Sequence, residues 1–385
     1  MYILTRYVVW EVLKFFLAAL LFLTLLVTLG MGVKEGLSRG LPPGVMLRTM
    51  PFMLPEMLGI TLPVAMLYAV SSVFGRMTGA NEVTALKSLG ISPMAVVWPV
   101  LVLASFMSLG TVWMYEIAAT WCRPNVARIV GESIEEIAYS TLHTNHSFGP
   151  PQVSQFSIVV KRVDGRKLVQ PTITIFGQPG RPKVTLRAAE AELHADIQAR
   201  LLTISCWNGE VDIEGKGRIS FPDKIEQTVP LVVPAADPYH RDMVAMSDIS
   251  DRVAELSTRL RQLEQLREAQ ESLGEPPSDK DAEDIANCRH LILRLKTEPY
   301  RRWSNGFTCL CFALIGTPVA MLWRHADVLT NFFVCFLPIL AIYYPLLMLG
   351  EDLSTSGRLP PISFWTGNVI LAAPAVLLLR KIIRH

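Results

Sequence analysis

Four cations at the ends of long apolar runs are the residues of this chain best placed to do chemistry on a ligand. Lys34 closes the first run and Arg39 lies in the short loop after it, while Arg301 and Arg302 enter the fourth. Cations at one depth of a membrane can hold the phosphates of an amphiphile whose chains occupy an apolar cavity. The plainer alternative is snorkelling, with long stems on apolar surface and charged heads in water. Glu56 and Glu116 are acids close to run ends, where ionisable groups are functional candidates. No catalytic set accompanies them. Gly215-Lys216-Gly217 lacks the spaced glycine and hydroxyl of a phosphate-binding loop, and there is no His-Glu-x-x-His or Gly-x-Ser-x-Gly. His143 and His146 lack acidic or cysteine partners nearby, so the sequence predicts no metal and no bound cofactor. Asn145-His146-Ser147 fits a glycosylation acceptor, which matters only in a eukaryotic secretory setting.

The elements that must position these residues are membrane spans. The 385 residues are 51% hydrophobic and 18% charged, too apolar for an ordinary soluble protein. Mean hydropathy is +0.34, and the apolar residues gather in long runs at both ends of the chain. Phe15–Val33 is about 19 residues, or ~29 Å as a helix, enough to cross a hydrocarbon core. Met57–Phe74, Met94–Tyr115, Ser304–Trp323, Val328–Gly350 and Ile362–Leu379 follow, giving six spans in two groups of three. The first run is a retained anchor, because Val33-Lys34-Glu35 offers no small-residue cleavage site. Pro51, Pro55 and Pro63 in the second span are kink signals.

Six spans place both termini on one side. Arg6, Lys14, Arg76, Lys87, Arg324, Arg380, Lys381 and Arg384 flank that side, against Lys34, Arg39, Arg48 and Arg358 on the other. The excess predicts cytoplasmic termini. The net charge of +2 decides nothing, and nothing points to nucleic acid. Six cysteines give no disulfide framework: Cys309, Cys311 and Cys335 fall in spans, and Cys122, Cys206 and Cys288 are scattered.

Between the second and third spans, on the cytoplasmic side, lies Gly75-Arg76-Met77-Thr78-Gly79-Ala80-Asn81-Glu82-Val83-Thr84-Ala85-Leu86-Lys87-Ser88-Leu89-Gly90. It predicts a short helix over 81–89. Asn81 caps its start, Glu82 and Lys87 suit the helix dipole, and Gly90 ends it before Pro93. A helix held between two spans is a handle that a partner can push.

The large segment after the third span falls outside. From about Tyr139 to Val233 it carries seven short β-like runs and no long helix, with turn signals at Asp164-Gly165, Pro179-Gly180 and Asn208-Gly209. A sandwich or jelly-roll-like domain is expected. From Ser247 to Glu298 the apolar period becomes helical, broken at 274–278 by Gly-Glu-Pro-Pro-Ser. A helical hairpin and a solvated connector both fit. The expected fold is therefore an α+β membrane protein with domains at 1–118, 119–246, 247–300 and 301–385.

Layout and motifs together resemble the permease subunits of the lipopolysaccharide exporter, the LptF/LptG (YjgP/YjgQ) family. The carriers are Leu62-Pro63-Val64-Ala65-Met66-Leu67 with Gly75-Arg76, Asn81–Leu86 and Gly90-Ile91-Ser92. Tyr300-Arg301-Arg302-Trp303 with Phe312–Pro318, and Leu359-Pro360-Pro361 with Trp365 and Asn368, complete them. The motifs do not separate F from G types.

The resemblance implies a non-enzymatic permease of the bacterial inner membrane, with its β domain in the periplasm. It would pair with a second six-span permease, homologue or self, and dock on a dimer of ABC ATPase subunits. ATP would then expel lipopolysaccharide or a related glycolipid to a periplasmic bridge protein. The short helix becomes a coupling helix, with Glu82 entering an ATPase groove, Val83, Leu86 and Leu89 as apolar face, and Arg76 beside them. Lys34 matches the family's phosphate-contacting cation, with Arg39, Arg301 and Arg302 as further candidates. The insert at 247–298 is longer than in better-known members. An ABC permease that only drives exterior machinery is the alternative, although that class usually places its large domain after the first span. An intramembrane enzyme lacks a catalytic set here, and a secondary transporter lacks paired broken helices.

Overall fold

The computed structural model describes residues 2–39, 41–149, 156–176, 184–196, 201–213, 217–230, 241–272, 279–323 and 328–384. The chain divides into a helical unit of Met1–Thr28, Met53–Arg123 and Pro238–His385, and a second unit of Leu29–Phe52 and Pro124–Asp237.

Among the described residues six helices are long and apolar enough to cross a membrane: Ile3–Ser38, Pro43–Gly79, Met94–Glu132, Asp281–Leu322, Leu329–Thr355 and Pro361–Ile382. Each of the six expected runs coincides with the apolar part of one of these helices. The helices run on past the runs because charged and polar residues outside the hydrocarbon are adequate helix formers. Helix α1 is Tyr2–Arg39 and α2 is Pro43–Gly79, its proline in a first-turn position where a missing N–H costs nothing. Helix α2 continues unbroken through Pro51, Pro55 and Pro63. The connecting helix α3 is Glu82–Ser88, and α4, Met94–Ile117, passes through a π turn at Ala118–Cys122 into α5, Arg123–Glu132.

The core of the helical unit joins Ala65, Ala69 and Val73 of α2 to Val97, Val100 and Ala104 of α4 and to Cys309, Ala313 and Ala320 further along. Valine and alanine supply most of this core, and the alanines permit the close backbone approach by which helices in lipid gain. Exposed Trp10, Trp98 and Trp323 lie towards the α3 end of the bundle, and exposed Trp113 and Trp303 towards the far end. Two such bands suit the two interfaces of a bilayer.

In the second unit, α5 is followed by α6, Ile134–Asn145, so helix extends beyond the point where strands were expected to begin. Glu135 and Glu136 in its first turn favour the helix dipole, and Ala138 and Leu142 are buried on its inner side. Among the described residues nine antiparallel strands follow in one sheet: β1 Ser147–Phe148, β2 Phe156–Val159, β3 Arg162–Asp164, β4 Lys167–Val169, β5 Thr172–Ile175, β6 Val184–Asp196, β7 Leu201–Ile213, β8 Gly217–Phe221 and β9 Ile225–Pro230. The long strands β6 and β7 pair along their length, and each serves two partners on its other edge, β5 then β4 for β6, and β9 then β8 for β7. The sheet curls around Ile158, Leu168, Ile173, Leu186, Leu193 and Ile204.

Two turn signals resolve differently. Asp164-Gly165 does make the tight β3–β4 hairpin, with Gly165 at φ 61°. Asn208-Gly209 lies inside β7, where Asn208 takes φ 51° and the pairing with β6 keeps its register on both sides. The inward-facing residues shift parity there, from buried Ile204 and Cys206 to partly buried Val211, as they do on β6 from Leu186 and Ala188 to Ala191 and Leu193. The left-handed asparagine is a kink that turns the inward face over. Pro179-Gly180 lies outside the described residues.

After the sheet the chain returns to the helical unit. Helix α7, Ile249–Ser272, packs antiparallel on the first half of α8, Asp279–Leu322. Ile249 and Leu256 meet Ile292 and Leu295, and Glu264 accepts from Arg289 at 2.7 Å. The helical insert is therefore a hairpin whose second arm is continuous with the fourth span. The break at 274–278 is outside the described residues. Helix α9, Val328–Pro338, a π turn at Ile339–Tyr343 and α10, Tyr344–Thr355, form the fifth span. Helix α11, Thr366–Arg384, is the sixth.

Candidate functional site

At the near end of the bundle, α3 is stopped as its sequence implies. Gly90 takes φ 77°, its N–H donates to Lys87 and that of Ile91 to Leu86, the paired bonds of a Schellman ending. Its start differs from expectation. Asn81 sits at φ 57° with no side-chain cap, because a left-handed residue turns its side chain away from the first free N–H groups. The short turn leaving α2 imposes that conformation.

The apolar stripe of α3 divides. Val83 is 9% exposed within the bundle core and Leu86 packs against the same core, whereas Leu89 is 74% exposed. The outward surface is Thr84, Ala85, Ser88 and Leu89, with Glu82 half-buried at the first turn. Arg76, at the end of α2, meets Glu11 of α1 at 2.9 Å, and Glu11 also holds Lys14 at 3.0 Å. Gly75 is a close-approach glycine: an added Cβ would lie 2.6 Å from Nδ2 of Asn331 on α9. Both ends of the second-to-third-span connection are thus fixed to other spans.

At the far end, Arg301 and Arg302 belong to a continuous ion network. Glu298, one turn earlier on α8 and 0% exposed, accepts from Arg301 at 2.7 and 2.8 Å and from Arg302 at 2.9 Å. Arg302, 2% exposed, also donates to Glu116 of α4 at 2.7 Å and to the carbonyls of Arg241 and Val244. Asp242 joins Arg301 at 2.6 Å to Arg123 at 2.9 Å, Arg123 reaches Glu56 of α2 at 2.6 Å, and Arg241 reaches Glu351 of α10 at 2.5 Å. Five carboxylates (Glu56, Glu116, Asp242, Glu298, Glu351) face four guanidiniums (Arg123, Arg241, Arg301, Arg302), leaving the cluster one negative charge beyond neutrality. Cations so compensated have little left for a phosphate.

Lys34 differs. It is exposed on the last turns of α1, and Arg39 ends the same helix, its side chain outside the described residues.

Inside the bundle a hydrogen-bond chain ties three spans. Asn368 of α11 donates to the carbonyl of Ser304 at 2.8 Å and accepts from the Tyr343 hydroxyl at 3.1 Å. Tyr343 meets Thr308 at 2.7 Å, and Ser304 donates to the Phe364 carbonyl at 2.7 Å. The π turn at Ile339–Tyr343 brings Tyr343 into this chain.

Residues 6–381 match the family described as the lipopolysaccharide export system permease LptF/LptG. The chain belongs to that family. Comparison with curated proteins gave no match. As an LptF/LptG permease, the chain is a multi-pass membrane protein of lipopolysaccharide transport and is not itself an enzyme. The residues that carried the resemblance occupy the places just described. Gly75–Gly90 spans the fixed connection at α3, Arg301-Arg302 lies in the ion network, and Asn368 sits in the hydrogen-bond chain.

Sequence reasoning missed Glu298, Asp242, Arg123, Arg241 and Glu351 as members of one cluster. Glu298 carried a local signal, since it precedes Arg301 and Arg302 by three and four helical positions. The others come from distant parts of the chain and left none. Among the described residues the six cysteines are free and buried, and no group of three or more metal-ligating side chains occurs.

Proposed function

We propose that this permease extracts lipopolysaccharide, or a related glycolipid, from a bacterial inner membrane and passes it to a periplasmic bridge protein, driven by a separate dimer of ABC ATPase subunits. It works paired with a second six-span permease. The termini and α3 face the cytoplasm, and the β unit faces the periplasm. The observation that carries this reading is α3: a helix fixed to the spans at both ends, with an exposed outer surface beside Glu82. An ATPase bound there moves the spans directly, because Val83, Leu86 and Lys87 leave α3 no independent motion. Glu82 is the residue offered to the ATPase groove, and Leu89 the apolar contact beside it.

Lys34, exposed near the end of α1, is the favoured phosphate contact, with Arg39, five residues later in the chain, as a further candidate. The same role for Arg301 and Arg302 has less support, since carboxylates already engage both.

The test is Glu82→Ala in the chain expressed with its ATPase. Retained ATPase at affinity purification should fall about tenfold, with membrane insertion unchanged. Full retention and normal export would remove the coupling role. Lys34→Asp should lower photo-cross-linking of lipopolysaccharide near the end of α1, and unchanged cross-linking would defeat the phosphate assignment.

A further inference from the structure

We propose that the buried network around Glu298 is a mechanical joint, fixing the segment that follows the β sheet to the spans, and that Arg302 transmits span movement through it rather than touching cargo. The inference rests on the reading above that span movement drives export.

Residues Arg241–Met246 are the first described after β9, and they are held mainly by charge. Arg302 grips their backbone at two carbonyls, Arg241 at 3.2 Å and Val244 at 2.9 Å. Glu116 grips it at a third point, its Oε1 accepting from the Met246 N–H at 2.9 Å, while its Oε2 holds Arg302 at 2.7 Å. Asp242 adds a side-chain hold on Arg123 and Arg301, and Arg241 one on Glu351. The segment is therefore tied to the third, fourth and fifth spans at once.

Each of these bonds has a charged partner, and Glu298 and Arg302 are buried beyond the reach of competing water. A buried ion network adds little net stability over apolar packing but specifies one geometry. When the third, fourth and fifth spans shift, the segment must follow or the pairs must break, and breaking leaves buried charges uncompensated. Following is the cheaper course. A snorkelling arginine would be exposed, and a cargo-binding one would keep most of its donors free; Arg302 is buried, and four of its five N–H groups are already engaged.

The experiment uses the assembled transporter with its ATPases in lipopolysaccharide-containing vesicles. Photoreactive side chains replace Leu37, near Lys34, or Val211, on the sheet. Arg302→Met should leave cross-linking at 37 unchanged and lower ATP-dependent cross-linking at 211 by about tenfold, with partial recovery in Arg302→Lys. Equal losses at both positions would make Arg302 a cargo contact, and no loss at 211 would remove the joint. If Arg302→Met fails to insert, Asp242→Asn decides, since its partly exposed position spares the fold. If the unaltered complex cross-links no lipopolysaccharide at all, the proposed function falls. The joint is then judged by hydrogen exchange at residues 244–248. Those amides should stay protected through ATP turnover and exchange about tenfold faster in Asp242→Asn or Arg302→Met. Unchanged exchange overturns it.

Discussion

The ammonium of Lys87 donates to the carbonyl of Ile382 at 3.1 Å, joining the last turn of α3 to the last turn of α11. Carbonyls in a final helical turn have no partner within their own helix, and a cation there also meets the negative end of the dipole. Lys87 thus serves two helix ends, its own and that of the sixth span. Val83, buried in the bundle core, holds the other end of α3.

Replacing Lys87 by Met keeps the stem and removes the donor. The bond is partly buried, so its loss should cost about 1 kcal/mol. Amide hydrogen exchange of α3 should then quicken by about fivefold, with the spans unaffected. Exchange equal to that of the unaltered protein would show that Val83 and Leu86 fix the helix without Lys87.

The Asn368 chain makes a graded prediction. Tyr343→Phe removes one hydroxyl, which meets Thr308 and Asn368, whereas Asn368→Leu also strips a donor from the Ser304 carbonyl. Interhelical hydrogen bonds in membranes contribute about 0.6–2 kcal/mol each. Thermal unfolding in detergent should show a modest loss for Tyr343→Phe and a larger one for Asn368→Leu. The reverse order would place the anchoring of α11 elsewhere.

The apolar runs and the ending of α3 were legible in the sequence because each rests on local physics: run length in one case, a glycine with positive φ in the other. The inward face of α3 was not legible. Val83, Leu86 and Leu89 form one stripe on a helical projection, yet Leu89 follows the last helical residue and leaves the stripe. Asn208 shows a second limit. A left-handed residue before glycine marks a hairpin or a strand kink equally well, and only the partner strand β6 separates them. The positions of Arg301 and Arg302 at the start of a span are visible in the sequence, but their partners are not. Arg302 meets Glu116 across 186 residues and Arg301 meets Asp242 across 59, distances that no local pattern encodes.

Cys206 offers a chemical test of the curled sheet. It lies inside the core opposite Ala191, and burial pushes its thiol up from 9.0 to about 12. At pH 8 the thiolate fraction is on the order of one part in ten thousand, so maleimide should spare Cys206 in the folded protein and label it in denaturant. The sign of the pH effect follows. The unfolded thiol ionises near 9 while the folded one keeps its proton, so the stability it contributes is complete below about pH 9 and is lost as pH rises towards 12. Ready labelling at pH 8 without denaturant would contradict the placement of β7.

The two ends of the α3 stripe separate folding from docking. Val83→Asp places a carboxylate at a position 9% exposed in an apolar cluster of the bundle core, one turn before Lys87, whose ammonium already serves the Ile382 carbonyl. Burial of an unpaired charge there should cost several kcal/mol, and the protein should fail to accumulate in the membrane. Leu89→Asp changes an exposed side chain and should leave accumulation and thermal unfolding unaltered within about 0.5 kcal/mol. Its effect should fall on the ATPase, whose retention at purification should drop several-fold, as expected for an apolar contact replaced by charge. Equal accumulation of the two variants would mean that the stripe faces outward as a whole, and normal retention by Leu89→Asp would move the docking surface towards Thr84 and Ser88.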